Sequence, residues 1–398
     1  MTEFNTRLVH GQGVNDNQTG AVNVPVYNSS TYQYPAIDSQ VRWDYARSGN
    51  PTREYLEKQI ALLENGTQGF AFASGMAAIH AAFAIFKPGD HIVIGEQIYG
   101  GTYRLIEQYF NERGIEFTAV DTQDLAAVKH AIIPATKAIY FEPITNPLLH
   151  VTSVTQIAKI AKQHNVLTIV DNTFLTPYLQ RPLDLGADIV VHSATKYLGG
   201  HSDVIAGLVV TKTEELGKKI YFIQNALGGV LSPESANLVR RGIQTLAVRM
   251  DRQQENSFAI IDFLKNRDEV TEINYPGIKG SSDNQIAATE CSGFGGMLSF
   301  ELKQDVDATA FVNQLHLFKL AVSLGAVESL VELPYQMSHA ELPPVERLKA
   351  GITPQLVRLS VGIEAATDLI SDLTQSFESL QLSQSSSNKF KRIKRRAI

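Results

Sequence analysis

The 398-residue chain is 44% hydrophobic and 19% charged, which is enough apolar material to bury at least one large core and excludes disorder for most of its length. Its net charge of −6 hides an asymmetry: residues 389–398 hold six basic residues and no acidic one, leaving the body with 29 basic against 41 acidic, a charge of −12. A body this acidic lacks the clustered Lys and Arg that release counterions from a phosphate backbone, so nucleic acid is excluded as an expected partner. With Cys291 as the single cysteine, neither an intramolecular disulfide nor a cysteine zinc cluster can form, which fits a reducing cytoplasm. Met1 to His10 lacks the apolar run of a secretory signal. Residues 69–86 are free of Asp, Glu, Lys and Arg, but Ser74-Gly75 and His80 interrupt them, so they read as strand, turn and buried helix and no membrane span is expected.

In chain order, residues 1–48 carry turn and loop composition and predict an extended N-terminal arm. From about residue 65 apolar runs alternate with helical periodicity, the pattern of βαβ units and a mainly parallel sheet, so an α/β domain is expected over 49–247. The runs predict strands at 70–73, 91–95, 116–120, 138–142, 167–170, 188–192 and 206–210, with helices at 103–112, 125–131 and 154–164 between them. Thr152 and Ser153 are the candidate N-caps of the last. A long helical stretch over about 234–265 leads into strand 296–302, helix 308–317, strands 320–323 and 357–361, and helix 366–380, an α+β domain over 248–382. Residues 383–398, Ser-rich then Lys/Arg-rich, predict a disordered basic tail.

Four segments carry chemistry. In Asp188-Ile-Val-Val-His-Ser-Ala-Thr-Lys-Tyr-Leu-Gly-Gly-His201 an apolar strand runs into two hydroxyls and a lysine, and strand ends of α/β sheets are where ligands bind. A lysine tucked there loses solvation, which frees its neutral amine to form a Schiff base with a carbonyl; a solvated surface charge is the other reading of Lys196 taken alone. Ser193 and Thr195 offer hydroxyls to a phosphate. Leu167-Thr-Ile-Val-Asp-Asn-Thr173 ends in Asp171, which if buried needs a cation such as a protonated pyridine nitrogen, or else caps a loop. Phe72-Ala-Ser-Gly-Met76 sits at a strand-to-helix junction, a phosphate site or a plain turn, and fits neither the P-loop nor the dinucleotide glycine pattern. Tyr99-Gly-Gly-Thr-Tyr-Arg104 offers an aromatic ring for stacking on a planar group, or a structural tyrosine. Arg47 and Arg358 have the planar fork that suits phosphate or an α-carboxylate, and Arg358 interrupts a run that otherwise reads as a strand. The ten histidines form no HExxH pattern, so no metal is expected, and His192, His201 and His339 read as structural or supporting residues. The absence of Gly-x-Ser-x-Gly disfavours a serine hydrolase.

Together, Tyr-x-Arg-x-x-Asn-Pro-Thr at 45–52, Ser-Gly-Met at 74–76, Val-Asp-Asn-Thr at 170–173 and Ser-Ala-Thr-Lys at 193–196 make the chain, from about Thr6 to Leu380, resemble the Cys/Met-metabolism family of pyridoxal phosphate enzymes. The resemblance implies fold type I, aspartate aminotransferase-like, with a mainly parallel sheet and a C-terminal α+β domain. It implies that Lys196 links the cofactor and shuttles protons, that Asp171 pairs with the pyridine nitrogen, and that Tyr99 stacks on the ring and assists deprotonation. It further implies a phosphate cup of Gly75, Met76, Ser193 and Thr195, completed by Tyr45 and Arg47 of a neighbouring subunit, with Asn146 beside the phenolic oxygen. Tyr45 and Asn146 also border the substrate, Arg358 and Ser323 form its carboxylate site, and Arg104 faces its distal end. A cytoplasmic homotetramer built as a dimer of dimers is implied. Methionine γ-lyases resemble one another in a cysteine where this chain has Gly101, and animal and yeast cystathionine γ-lyases carry Glu where it has Val322. The expectation is therefore a cystathionine γ-lyase with β-elimination open beside it. A β-lyase, a γ-synthase or acylhomoserine sulfhydrylase, and a non-catalytic ligand-binding protein on the same scaffold are the alternatives.

Overall fold

The computed structural model describes residues 2–11 and 19–395, with side chains through 380. Its chain divides into two compact units: residues 1–146, 150–248 and 279–294, and residues 147–149, 249–278 and 295–398.

The first unit is built on seven strands: β1 (Gln68–Phe72), β2 (His91–Gly95), β3 (Glu116–Val120), β4 (Thr136–Phe141), β5 (Leu167–Asp171), β6 (Ile189–Ser193) and β7 (Gly207–Thr211), in the order β1-β7-β6-β5-β4-β2-β3. The run from β3 to β6 is parallel, and β7 is antiparallel to both its neighbours. Apolar runs without alternation form the inner strands because the sheet is covered on both faces there, β2 and β7 being buried at every position, whereas the edge strand β3 is largely exposed. Phe70, Phe72, Ile79, Phe83, Ile92 and Ile169 share one core cluster, which packs the helix Gly75–Phe83 onto the sheet. That helix can lie so close because Gly207 has no side chain: a Cβ there would stand 2.1 Å from the Ser74 carbonyl oxygen. Ser153 caps the helix Val154–Gln163, accepting from the Gln156 amide at 3.1 Å.

The segment expected to be an extended arm contains the helix Phe4–His10, whose last carbonyls accept hydrogen bonds from Gln59, Tyr55 and Gln244. Residues 279–294 lie beyond the expected boundary at 247 yet join the first unit, and two carboxylates hold them. Asp283 accepts from the Val151 amide at 2.8 Å and from Gln123 at 2.7 Å. Glu290 accepts from Ser153 Oγ at 2.5 Å and from the amides of Val154 and Thr155 at 2.8 and 3.2 Å, so it ties down the start of another helix.

The second unit has five strands: β8 (Val270–Asn274), β9 (Met297–Leu302), β10 (Lys319–Leu320), β11 (Leu330–Glu332) and β12 (Leu356–Ser360), ordered β10-β11-β12-β9-β8 and mixed in direction. Phe311 packs against Phe300 and Phe377, with ring centroids 6.1 and 4.5 Å away. The helix expected over 308–317 ends at Asn313, because the amides of His316, Leu317 and Phe318 turn to the buried Asp372 carboxylate instead of continuing it. The stretch 234–265 is two helices, Pro233–Gln244 and Leu246–Leu264. The last helix, Ala366–Arg395, carries its backbone through residues expected to be disordered; no Gly or Pro interrupts 383–395, and 396–398 lie outside the described residues. Among the described residues, no helix is long and apolar enough to cross a membrane.

Removing the Glu290 carboxylate strands the amides of Val154 and Thr155. Glu290→Ala is expected to lower unfolding stability by about 1–3 kcal/mol. Urea melts should show a lower midpoint at unchanged slope; an unchanged midpoint would remove the clip from the account of this unit.

Candidate active site

The expected cofactor residues of the central sheet stand at or after the carboxyl ends of its strands. Asp171 closes β5 and is 7% exposed. Its Oδ1 accepts from the Thr173 amide at 3.1 Å and from the Thr173 hydroxyl, and its Oδ2 from the Tyr140 hydroxyl at 3.3 Å. None of these donors is a cation. Burial pushes the carboxyl above the ordinary range, opposed by the hydrogen bonds of Thr173 and the field of His192. Thr173 also accepts from the Ser193 amide at 2.8 Å, so one hydroxyl ties the end of β6 to Asp171.

Ser193 closes β6, and the turn after it carries Thr195 and Lys196, whose amide donates to the Ser193 carbonyl at 3.1 Å. Gly75 opens its helix directly against this point: a Cβ on it would lie 2.8 Å from both Cβ and Oγ of Ser193. Ser74 caps that helix through the Ala77 amide at 3.1 Å. The amides of Gly75 and Met76 thus head a nine-residue helix beside the Ser193 hydroxyl, an arrangement that suits a phosphate. Thr195 is engaged differently, since its hydroxyl donates to the Ala206 carbonyl and accepts the Ala206 amide, closing the β6–β7 loop.

Tyr99, 50% exposed, precedes the helix Gly100–Leu105, and its carbonyl accepts from the amides of Thr102 and Tyr103. A Cβ on Gly101 would come within 2.5 Å of the Tyr99 ring and 3.2 Å of the Met76 sulfur, so glycine is what lets the ring lie over this helix. Asn146 is half-buried in the loop after β4 (Thr136–Phe141). Arg104 is exposed in the last turn of its helix.

Tyr45 and Arg47 are exposed, with the guanidinium 5.4 Å from the tyrosine ring and its Nε 3.4 Å from Asn225. Arg53, which the sequence reading did not single out, fixes this loop by donating to the carbonyls of Ala46 and Arg47. In the second unit, Arg358 and Glu332 are cross-strand partners joined by a buried ion pair at 2.9 Å. Arg358 also donates to the Ser323 carbonyl at 2.9 Å, and Ser323 has φ +97°, a strained value for serine. Val322 beside it is 57% exposed. His192 is fully buried and meets the equally buried Glu64 at 2.6 Å; His201 and His339 bond to Gly199 and Ser338.

This donor set fits pyridoxal phosphate. The buried Asp171 takes its hydrogen bonds from neutral groups and would accept a pyridinium, while the Gly75–Ser193 approach, too close for a side chain, sets the start of the helix against the Ser193 hydroxyl, where a phosphate would find donors. A family model described as Cys/Met metabolism PLP-dependent enzyme matches residues 5–378. The cystathionine β-lyase of Lactococcus lactis subsp. cremoris is 50% identical over 378 residues, 95% of this chain and 100% of that protein. The cystathionine γ-lyase of Bacillus subtilis is 50% identical over 375 residues, 94% of this chain and 99% of that protein. A crystal structure of cystathionine γ-lyase from Lactobacillus plantarum complexed with L-serine has a TM-score of 0.93 at 52% identity, covering 96% of this chain and 100% of that one.

A carboxyl whose folded pKa is raised by burial stabilises the fold fully below its unfolded value, about pH 4, and loses that contribution as the pH climbs. Asp171→Asn removes this titration. As the pH rises from about 4, cofactor-free wild type is therefore expected to lose more stability than the cofactor-free Asn variant, measured as urea midpoints; parallel curves would contradict the burial argument.

Proposed function

The chain belongs to the Cys/Met metabolism family of PLP-dependent enzymes and is a carbon–sulfur lyase, and from that premise we propose that it cleaves L-cystathionine at the γ-carbon, giving cysteine, 2-oxobutyrate and ammonia, with β-cleavage beside it. The observation that carries the reading is Asp171: a buried carboxylate with neutral donors, at the same sheet edge as Ser193 and Lys196. The cofactor, when bound, supplies an electron sink for charge developing on the substrate.

The chain's residues then take the following parts. Asp171 keeps the ring nitrogen protonated, and Thr173 and Tyr140 keep Asp171 oriented. Gly75, Met76 and Ser193 hold the phosphate, with Thr195 shaping the turn and Tyr45 and Arg47 of a second copy completing the cup. Lys196 carries the cofactor and moves the α-proton at Nζ; Tyr99 covers the ring and assists that transfer. Asn146 borders the phenolic oxygen. Arg358, fixed by Glu332 and the Ser323 carbonyl, receives the substrate's α-carboxylate, and Arg104 faces its distal end. The shared cup makes the enzyme at least a dimer, and we place it as a homotetramer in the cytoplasm. The relatives named β-lyase support the second bond choice, with homocysteine and pyruvate as products.

Two variants test this. Lys196→Ala should retain its fold and melting transition but lose turnover and the borohydride-fixable cofactor; full turnover would refute the assignment. Val322→Glu places a carboxylate where the far ammonium of the substrate can find it, and one charged hydrogen bond is worth roughly 1.5–3 kcal/mol. The 2-oxobutyrate to pyruvate ratio should rise about tenfold, and an unchanged or lower ratio would remove Val322 from the account of bond choice.

A further inference from the structure

Glu142 follows β4 (Thr136–Phe141) and is 8% exposed, and none of the roles above uses it. Phe141 pairs with Val170 in the parallel ladder, so the next residues, Glu142 and Asp171, emerge side by side from adjacent strands. Two residues back, Tyr140 donates to Asp171, which places this tyrosine and both carboxyls in one cluster. Glu142 Oε1 accepts the Tyr99 amide at 2.7 Å. The Tyr99 carbonyl is already fixed by the amides of Thr102 and Tyr103, so this hydrogen bond fixes the other end of the residue. A buried carboxyl beside another is a costly way to satisfy one amide, which argues that the placement of that amide matters. Burial first, and then the charge of Asp171, hold the Glu142 carboxyl well above its usual range, with the Tyr99 amide working against both. The other titratable groups lining the cleft around Glu142 are Glu96, Asp121 and His150.

We propose that Glu142 is a positioning residue: it anchors the Tyr99 main chain to the strand end that carries Asp171, so the ring over the cofactor and the partner of its nitrogen are set by one brace. This rests on reading Tyr99 as the stacking residue, and Tyr99→Ala tests that reading separately.

The experiment compares Glu142→Gln and Glu142→Leu holoenzymes by pyridoxal phosphate affinity and by the induced circular dichroism of the bound cofactor, which reports its asymmetric surroundings. Glutamine retains an acceptor for the amide and is expected to keep both within about twofold, whereas leucine is expected to weaken affinity about tenfold and to reduce the dichroism. A Leu variant that matches wild type while Tyr99→Ala does not would overturn the proposal, as would a Gln variant damaged as badly as Leu. If Tyr99→Ala leaves cofactor affinity and dichroism intact, the stacking reading itself fails. Should Glu142→Leu not fold, hydrogen exchange of wild-type apoenzyme decides: a protected Tyr99 amide is expected, and an unprotected one overturns the brace.

Discussion

A carboxylate buried under the end of a parallel sheet has lost water and must recover interaction energy from its surroundings. Asp171 recovers part of it from Thr173 and Tyr140, both neutral, and burial still leaves it harder to ionise than a surface aspartate. The remaining deficit is a binding site for a positive charge. Around that deficit the rest is arranged: β6 delivers Ser193 one strand away, Thr173 ties the two strand ends together, and the helix opened by Gly75 brings its amides to the same edge. A pyridinium bound there would favour the ionised form of this carboxyl.

Close backbone approach is the second constraint. Gly207 admits the Ser74 carbonyl, Gly75 admits Ser193, and Gly101 admits the Tyr99 ring. Each contact is too short for a methyl group, so these glycines act by having no side chain at all.

Much of this could be read from the chain before any coordinates. The runs at 91–95 and 116–120 are β2 and β3 to the residue: β2 is buried at every position and needs no alternation, while β3 is a largely exposed edge strand bounded by turn residues. Asp171 and Lys196 were legible for the same reason, as polar residues that end such runs. Glu142 was not, although it also ends one, because its meaning depends on the register that sets Phe141 beside Val170 and on an amide 43 residues earlier. The Arg358–Glu332 pair was hidden likewise, since β11 has only three residues and no periodicity to betray it. The early end of the helix at Asn313 came from Asp372, a carboxylate far along the chain that local propensity cannot register.

The return of residues 279–294 to the first unit has a consequence for synthesis. A nascent chain that has emerged as far as Val248 already holds all seven strands of the large sheet, yet lacks Asp283 and Glu290, so the amides of Val151, Val154 and Thr155 still face water. The cofactor-binding unit is therefore not a segment that can be finished first and left behind, as domains made from one continuous stretch are. Its last pieces arrive after the second unit has begun, so premature termination before Glu290 yields a sheet with an unsealed helix start.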